Sequence, residues 1–286
     1  MIPTRRSRAF TRWFAGHADA RLRRSFGRIH VRGVEDARRA GADAPLLLVA
    51  NHTSWWDPLV ALWLSVRHLG FDAYAMMDAR NLRRLPFFGL VGGFGVDLDD
   101  PRDGARSVRH AASLLDRPGR AVWVYPEGRE RRALSPLELR AGAAHIAKLS
   151  TRARVLGIGV RYVFAGAEAP DLWISLGPAF ERSRDIRSGL EAQRRAIETE
   201  LARIDGARKG EFTLLHERRP SLFGRVAEVL LATLTRPLLL SGANEAAAGP
   251  ESQAAPSPFE RSRDDGPREG RKKDDVGEEG VVHGDP

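Results

Sequence analysis

Short apolar runs alternate with amphipathic stretches along most of the chain. Leu46–Ala50 (LLLVA) reads as a strand, and Pro58–Leu69 as a helix with proline at its first position. Phe71–Met77 reads as a short strand. Gly104–Leu115 is helical, with Val108, Ala111, Ala112 and Leu115 on one face. Ala121–Tyr125 (AVWVY) reads as a strand, Leu139–Leu149 as a helix, and Val155–Phe164 and Leu172–Leu176 as strands. A long polar helix is expected near Asp185–Ile204. Strands alternating with helices predict an α/β fold: a single domain with a largely parallel central sheet flanked by helices.

The two ends differ from this pattern. Phe10, Trp13 and Phe14 sit at i, i+3 and i+4 among nine arginines in the first 32 residues, with Asp19 as the one acid. An arginine-rich helix with an aromatic face predicts a membrane-associating segment over residues 1–30. A solvated basic arm, a face packed on the core, or a transit peptide would share these residues. The folded domain is expected over 31–242. Segment 221–240 is apolar but interrupted by Arg225, Glu228 and Arg236, which suits a docked or membrane-grazing helix. No stretch reaches 18 consecutive apolar residues, and no long apolar stretch follows the early arginines as in a secretory signal. Beyond Gly242, Ala, Pro, Gly and charges dominate. That composition predicts a disordered tail over 243–286, with too little apolar surface to offset its ordering entropy.

Charge narrows the partners. The 286 residues include 46 Lys and Arg against 37 Asp and Glu, a formal charge of +9. The tail is acidic, so residues 1–242 carry 40 basic against 26 acidic side chains, nearly all of the basic ones arginine. Such a body attracts something anionic: nucleic acid, a membrane surface or an acidic ligand. No nucleic-acid reading module is recognisable, and the arginines crowd around aromatics, so the expected partner is a lipid surface and not nucleic acid. The chain has no cysteine, which excludes disulfides, a thiol nucleophile and thiolate metal sites. The remaining ligand types lack zinc or di-iron spacing, and no cofactor or metal is expected.

Two stretches carry chemistry. The first, Asn51-His52-Thr53-Ser54-Trp55-Trp56-Asp57-Pro58, stands between a predicted strand and helix, where α/β folds place their sites. A tight turn there would fold the Asp57 carboxylate onto the His52 imidazole, fixing its tautomer and leaving the other nitrogen as a base. By spacing alone, Asp57 is equally an N-cap before a proline-started helix, and His52 a structural histidine. The second stretch, Tyr125-Pro126-Glu127-Gly128-Arg129-Glu130-Arg131-Arg132, also ends a predicted strand. Its broken backbone and arginines suit a phosphate or an oxyanion, or an ordinary charged surface turn.

Taken in order, about 70 residues apart, these stretches resemble the lysophospholipid and glycerol-phosphate acyltransferase family. His52 to Asp57 matches the H-x4-D motif, and Tyr125-Pro126-Glu127-Gly128 the F-P-E-G block. Gly92–Asp97 (GGFGVD) and Val155–Tyr162 (VLGIGVRY) occupy the places of two further family blocks. The resemblance covers roughly residues 30–200. It implies catalytic roles for His52 as general base and Asp57 as its orienting partner. It also implies substrate contacts from Glu127, Gly128, Arg129, Arg131 and Arg102, with backbone N–H groups near Gly128 holding the oxyanion. The implied reaction moves a fatty acyl group from acyl-CoA or an acidic acyl-carrier protein to a lipid hydroxyl at the cytoplasmic face of a membrane. No G-x-S-x-G surrounds Ser54, so no covalent acyl-enzyme is implied.

Three positions depart from the family. Leu98, followed by Asp99 and Asp100, stands where an arginine is usual. Arg129-Glu130 replaces Thr-Arg, and Gly157 replaces a proline. Two of these positions hold acceptor phosphate in the family. The expectation is therefore a less anionic acceptor, such as a glycosylated or ornithine-type lipid, with 1-acylglycerol-3-phosphate as the alternative. A silent membrane-binding relative is disfavoured by the intact His52 and Asp57.

Overall fold

All five residues of Leu46–Ala50 (β2) are buried, and their alternation sorts them onto two cores. Leu46, Leu48 and Ala50 face one apolar cluster, while Leu47 and Val49 face another on the opposite side of the sheet. A strand covered on both faces needs no polar positions, which is why it reads as a continuous apolar run. Each fully buried leucine contributes roughly 1.5–3 kcal/mol.

The structure is a computed structural model describing residues 1–164, 168–208 and 210–218, within a compact unit spanning Met1–Pro220. The segments expected over 221–240 and 243–286 lie outside the described residues. In chain order the elements are α1 (Arg8–Ser25), β1 (Arg28–Arg32), α2 (Val34–Asp43), β2, α3 (Asp57–Trp63), β3 (Asp72–Asp78), α4 (Ala79–Arg84), β4 (Gly93–Val96) and α5 (Pro101–Leu114). They continue with β5 (Arg120–Val124), α6 (Gly142–Leu149), β6 (Arg154–Val163), β7 (Asp171–Glu181), α7 (Ile186–Asp205) and β8 (Thr213–Glu217). A π-helical turn, Leu64–Leu69, extends α3. The eight strands form one sheet in the order β4-β3-β5-β2-β6-β7-β1-β8. The pairs β4–β3, β3–β5, β5–β2, β2–β6 and β7–β1 are parallel, whereas β6–β7 and β1–β8 are antiparallel. The largely parallel α/β sheet flanked by helices is as expected.

Several elements differ from the sequence reading. β1, α2, α4 and β8 were not anticipated. β7 runs five residues further, to Glu181, because it pairs with β6 along almost its whole length. α6 begins at Gly142 and not at Leu139, since the Arg140 backbone N–H donates to the Pro126 carbonyl at 2.8 Å and holds that segment in a loop. Gly157 and Gly159 let α7 lie flush on β6. A Cβ at Gly157 would stand 2.6 Å from Ala196 Cβ, and one at Gly159 2.8 Å from backbone atoms of Glu200 and Leu201.

α1 is helical as predicted, but the stripe it buries is Thr11, Ala15, Ala18 and Leu22. Its end is tied in by Phe26, fully buried, and by the Trp63 Nε1–H donating to Asp19 at 2.8 Å. Phe10 and Phe14 lie on the flank, half-buried against Phe87, and Trp13 is 65% exposed. No helix among the described residues is long and apolar enough to cross a membrane.

Candidate active site

The site stands at the carboxyl ends of β2, β5 and β6. Asn51, buried at the end of β2, bonds across to β6: its Nδ2–H donates to the Val160 carbonyl at 3.0 Å and its Oδ1 accepts from the Val160 N–H at 2.8 Å. This double bond to the neighbouring strand fixes where β2 stops and where the His52 loop begins.

Within that loop, the chain turns so that Asp57 returns to His52. Asp57 Oδ2 lies 2.7 Å from His52 Nδ1, and the same oxygen accepts the backbone N–H groups of Thr53 at 3.0 Å and Ser54 at 3.1 Å. Oδ1 accepts the Tyr162 hydroxyl at 2.5 Å. The carboxylate is 1% exposed and every group around it donates. The Nδ1 of His52 therefore carries the proton, and Nε2 keeps its lone pair. Asp57 is thus no N-cap: it is the first residue of α3, Trp56 holds the cap position, and the carboxylate faces back into the loop. His52 itself is 17% exposed, so the ring borders solvent.

The second stretch clasps the first. The His52 N–H donates to Glu127 Oε2 at 2.7 Å, and the His52 carbonyl accepts the Arg131 N–H at 2.8 Å. Glu127 is nearly buried, and burial raises its carboxyl above the ordinary range, while the His52 N–H and the Arg131 charge pull it back. The Tyr125 ring lies 4.7 Å from the His52 ring, centroid to centroid, and its hydroxyl donates to the Asp57 carbonyl at 2.9 Å. Burial, with Asp57 nearby, pushes both Tyr125 and Tyr162 well above the usual phenol range, so both remain protonated donors. Gly128 adopts φ +71°, closing a turn in which its N–H donates to the Tyr125 carbonyl at 2.9 Å. That N–H is spent within the turn.

Two cavities adjoin this centre. An apolar one of about 500 Å³ is lined by Met76, Val96, Leu98, Val108, Tyr125, Gly128 and Ala143, with Arg109 and Arg140 among its polar edges. A polar one of about 400 Å³ is lined by Glu127, Arg129, Arg131, Glu138, Arg140 and Arg194, with Leu137 and Leu139.

The structure therefore brings His52, Asp57, Glu127, Gly128, Arg129 and Arg131 together and leaves Arg102 out. Arg102 is exposed on the first turn of α5 and lines neither cavity. The acidic loop is used locally: Asp100 caps α5 by accepting the Arg102 N–H at 2.8 Å, and Asp97 accepts the Asp99 N–H at 3.1 Å. Arg106 pairs with Asp103 at 3.1 Å. Sequence reasoning missed Asn51, Tyr125 and Tyr162 as positioning residues and Arg140 and Arg194 as cavity walls. The place of Asn51 directly after the unbroken apolar run of β2 was the available signal for Asn51.

Residues 28–161 match the family model described as Acyltransferase. The chain is 25% identical over 178 residues to the 1-acyl-sn-glycerol-3-phosphate acyltransferase of Streptococcus pneumoniae, covering 57% of this chain and 61% of that protein. It is 34% identical over 104 residues to the lyso-ornithine lipid O-acyltransferase of Rhizobium meliloti, covering 35% and 32%. The chain thus spans about three fifths of the first relative's length and a third of the second's. Among solved structures, the 1-acyl-sn-glycerophosphate acyltransferase of Thermotoga maritima matches with a TM-score of 0.47 and 15% identity, covering 69% of this chain and 80% of that one. The match to the Acyltransferase model takes in the His52–Asp57 pair and its Glu127–Gly128 clasp, and over residues 28–161 the chain is similar to that family.

Proposed function

We propose that the chain moves a fatty acyl group from a thioester donor, acyl-CoA or acyl-carrier protein, to the hydroxyl of a lysophospholipid-like lipid. The observation that carries this reading is the 2.7 Å contact between His52 Nδ1 and a carboxylate ringed by donors, which leaves Nε2 as a base. His52 takes the acceptor's proton as its oxygen attacks the thioester carbonyl. The tetrahedral intermediate then expels the thiolate, and the imidazolium returns the proton to sulfur. Asp57 stabilises the imidazolium while it exists. The apolar cavity beside Tyr125 offers room for an acyl chain. Incubating the full chain with acyl-CoA and a panel of lysophosphatidate, lysophosphatidylcholine, lyso-ornithine lipid and glycolipid tests this. Mass spectrometry is expected to find an acylated product and stoichiometric free CoA with at least one lysolipid. Thioester hydrolysis without any acylated lipid would overturn the reading.

The same reaction places the protein at a lipid surface, as a peripheral protein. Trp13 and Trp55 are 65% and 55% exposed, and Leu85 41%. Trp55 stacks on Trp56, which packs with Phe10, Phe14 and Phe87 in one apolar cluster next to the His52 loop. Exposed Arg12, Arg83 and Arg84 lie on the elements that carry this cluster. Inserting an aromatic side chain is worth roughly 1.5–3 kcal/mol, so Trp13→Ser with Trp55→Ser is expected to weaken binding to anionic vesicles by about tenfold or more. High salt should weaken the wild type further. Unchanged co-sedimentation of the double variant would remove this surface from the account.

A further inference from the structure

The polar cavity behind Glu127 holds more positive charge than its acids neutralise. Arg131 is paired with Glu138, and Glu127 is engaged with the His52 N–H. Arg129, Arg140 and Arg194 line the same cavity and have no ion-pair partner among the described residues. The Nε of Arg194 is buried with no hydrogen-bond partner, and so is the Nε of Arg131. A buried guanidinium N–H without an acceptor costs free energy, and two in one cavity mark a place for an oxyanion. The elements that bring these residues together are far apart in sequence: the loop after β5 supplies Arg129 and Arg131, the segment before α6 supplies Arg140, and α7 supplies Arg194. Arg140 also lines the apolar cavity, and its side chain passes so close to Gly128 that a Cβ there would stand 3.2 Å from Arg140 Cδ and Nε. One side chain is therefore shared between a space suited to hydrocarbon and a space suited to an anion.

We propose that Arg140 and Arg194, with Arg129, form a binding site for the phosphate-bearing part of a substrate, placed so that an amphiphile with its tail in the apolar cavity lays its anionic group on these arginines. The proposal rests on the acyl-transfer reading for its choice of substrate but not for the site itself. Where the phosphate is the acceptor's, the site also changes the expected acceptor. The sequence departures at Leu98 and Glu130 argued for a weakly anionic acceptor, whereas the folded chain gathers arginines from elsewhere. The phosphate can belong to the acceptor's head group or to the donor's pantetheine and nucleotide moiety, since both carry the same phosphoryl oxygens.

The experiment uses the full chain, Arg140→Gln, Arg194→Gln and the double variant. Each arginine is expected to contribute a charged hydrogen bond, so the KM for the phosphate-bearing substrate should rise about tenfold per substitution, with kcat little changed. A rise confined to lysophosphatidate, with the KM for acyl-CoA constant, assigns the site to the acceptor, and the converse assigns it to the donor. Transfer to a neutral monoacylglycerol should be insensitive to the substitutions in the first case. Calorimetric titration of CoA and of micellar lysophosphatidate into His52→Ala protein reads binding without turnover. Arginine-dependent binding there, with wild-type protein that acylates no lipid in the panel, would keep the anion site and end the acyl-transfer reading. Normal transfer by the double variant, with both KM values within twofold of wild type, would overturn the site and leave the reaction standing.

Discussion

His52→Ala is expected to lower acyl transfer by roughly 10²–10⁴, the range that a positioned general base supplies, while leaving the fold intact. The structure explains why the two effects separate. Removing the imidazole takes one donor from Asp57 Oδ2, but the Thr53 and Ser54 N–H groups remain on that oxygen and the Tyr162 hydroxyl remains on the other. The buried carboxylate is still satisfied, so no large desolvation penalty appears. The backbone of residue 52 also stays clasped by Glu127 and Arg131, because those bonds involve its N–H and carbonyl and not the ring. Free CoA release, followed with a thiol reagent, and the thermal midpoint measure the two properties on one sample. Near-normal turnover in a cleanly folded variant would remove His52 from the chemistry.

That separation depends on contacts of uneven legibility in the sequence. The β2 run was legible because burial on both faces erases polar positions. β1 was not: Arg28, His30 and Arg32 read as part of a basic arm, although Ile29 and Val31 between them are buried with a period of two. In α1 the eye goes to the aromatic triplet, but the helix buries a stripe of small residues, Ala15 and Ala18 among them, whose apolar signal is weak. At the site, His52 and Asp57 were legible because six consecutive residues of one loop hold both. Tyr162, Arg140 and Arg194 were not, because only the folded chain sets β6 beside β2 and brings the segment before α6 and α7 to one cavity. Tyr162 and Arg194 also lie beyond the residues that match the family model. A missing arginine is visible in a motif, and arginines that other elements bring to one cavity are not.

Asp57→Asn is expected to lower the rate by roughly 10- to 150-fold, less than the 10⁴ seen where an amide turns its NH₂ toward the histidine and forces the wrong tautomer. The reason lies in which oxygen does what. Oδ2 accepts from His52 Nδ1, Thr53 N–H and Ser54 N–H, and none of the two backbone donors can accept in return. An asparagine must therefore put its carbonyl oxygen in that place and its NH₂ where Oδ1 was. There it meets the Tyr162 hydroxyl, which rotates to accept instead of donate. His52 keeps its Nδ1 proton and its orientation. What is lost is the negative charge beside the imidazolium, and a hydrogen bond to a charged group is worth about 1.5–3 kcal/mol, which sets the predicted range. Replacing Tyr162 by Phe in the Asp57→Asn background deprives the amide NH₂ of its acceptor and should lower the thermal midpoint beyond the sum of the single variants. Rate measurements at saturating substrate decide between the two pictures. A 10⁴-fold fall in Asp57→Asn would show the amide turned about, and so would place the loop N–H groups too weakly on the side chain to hold it.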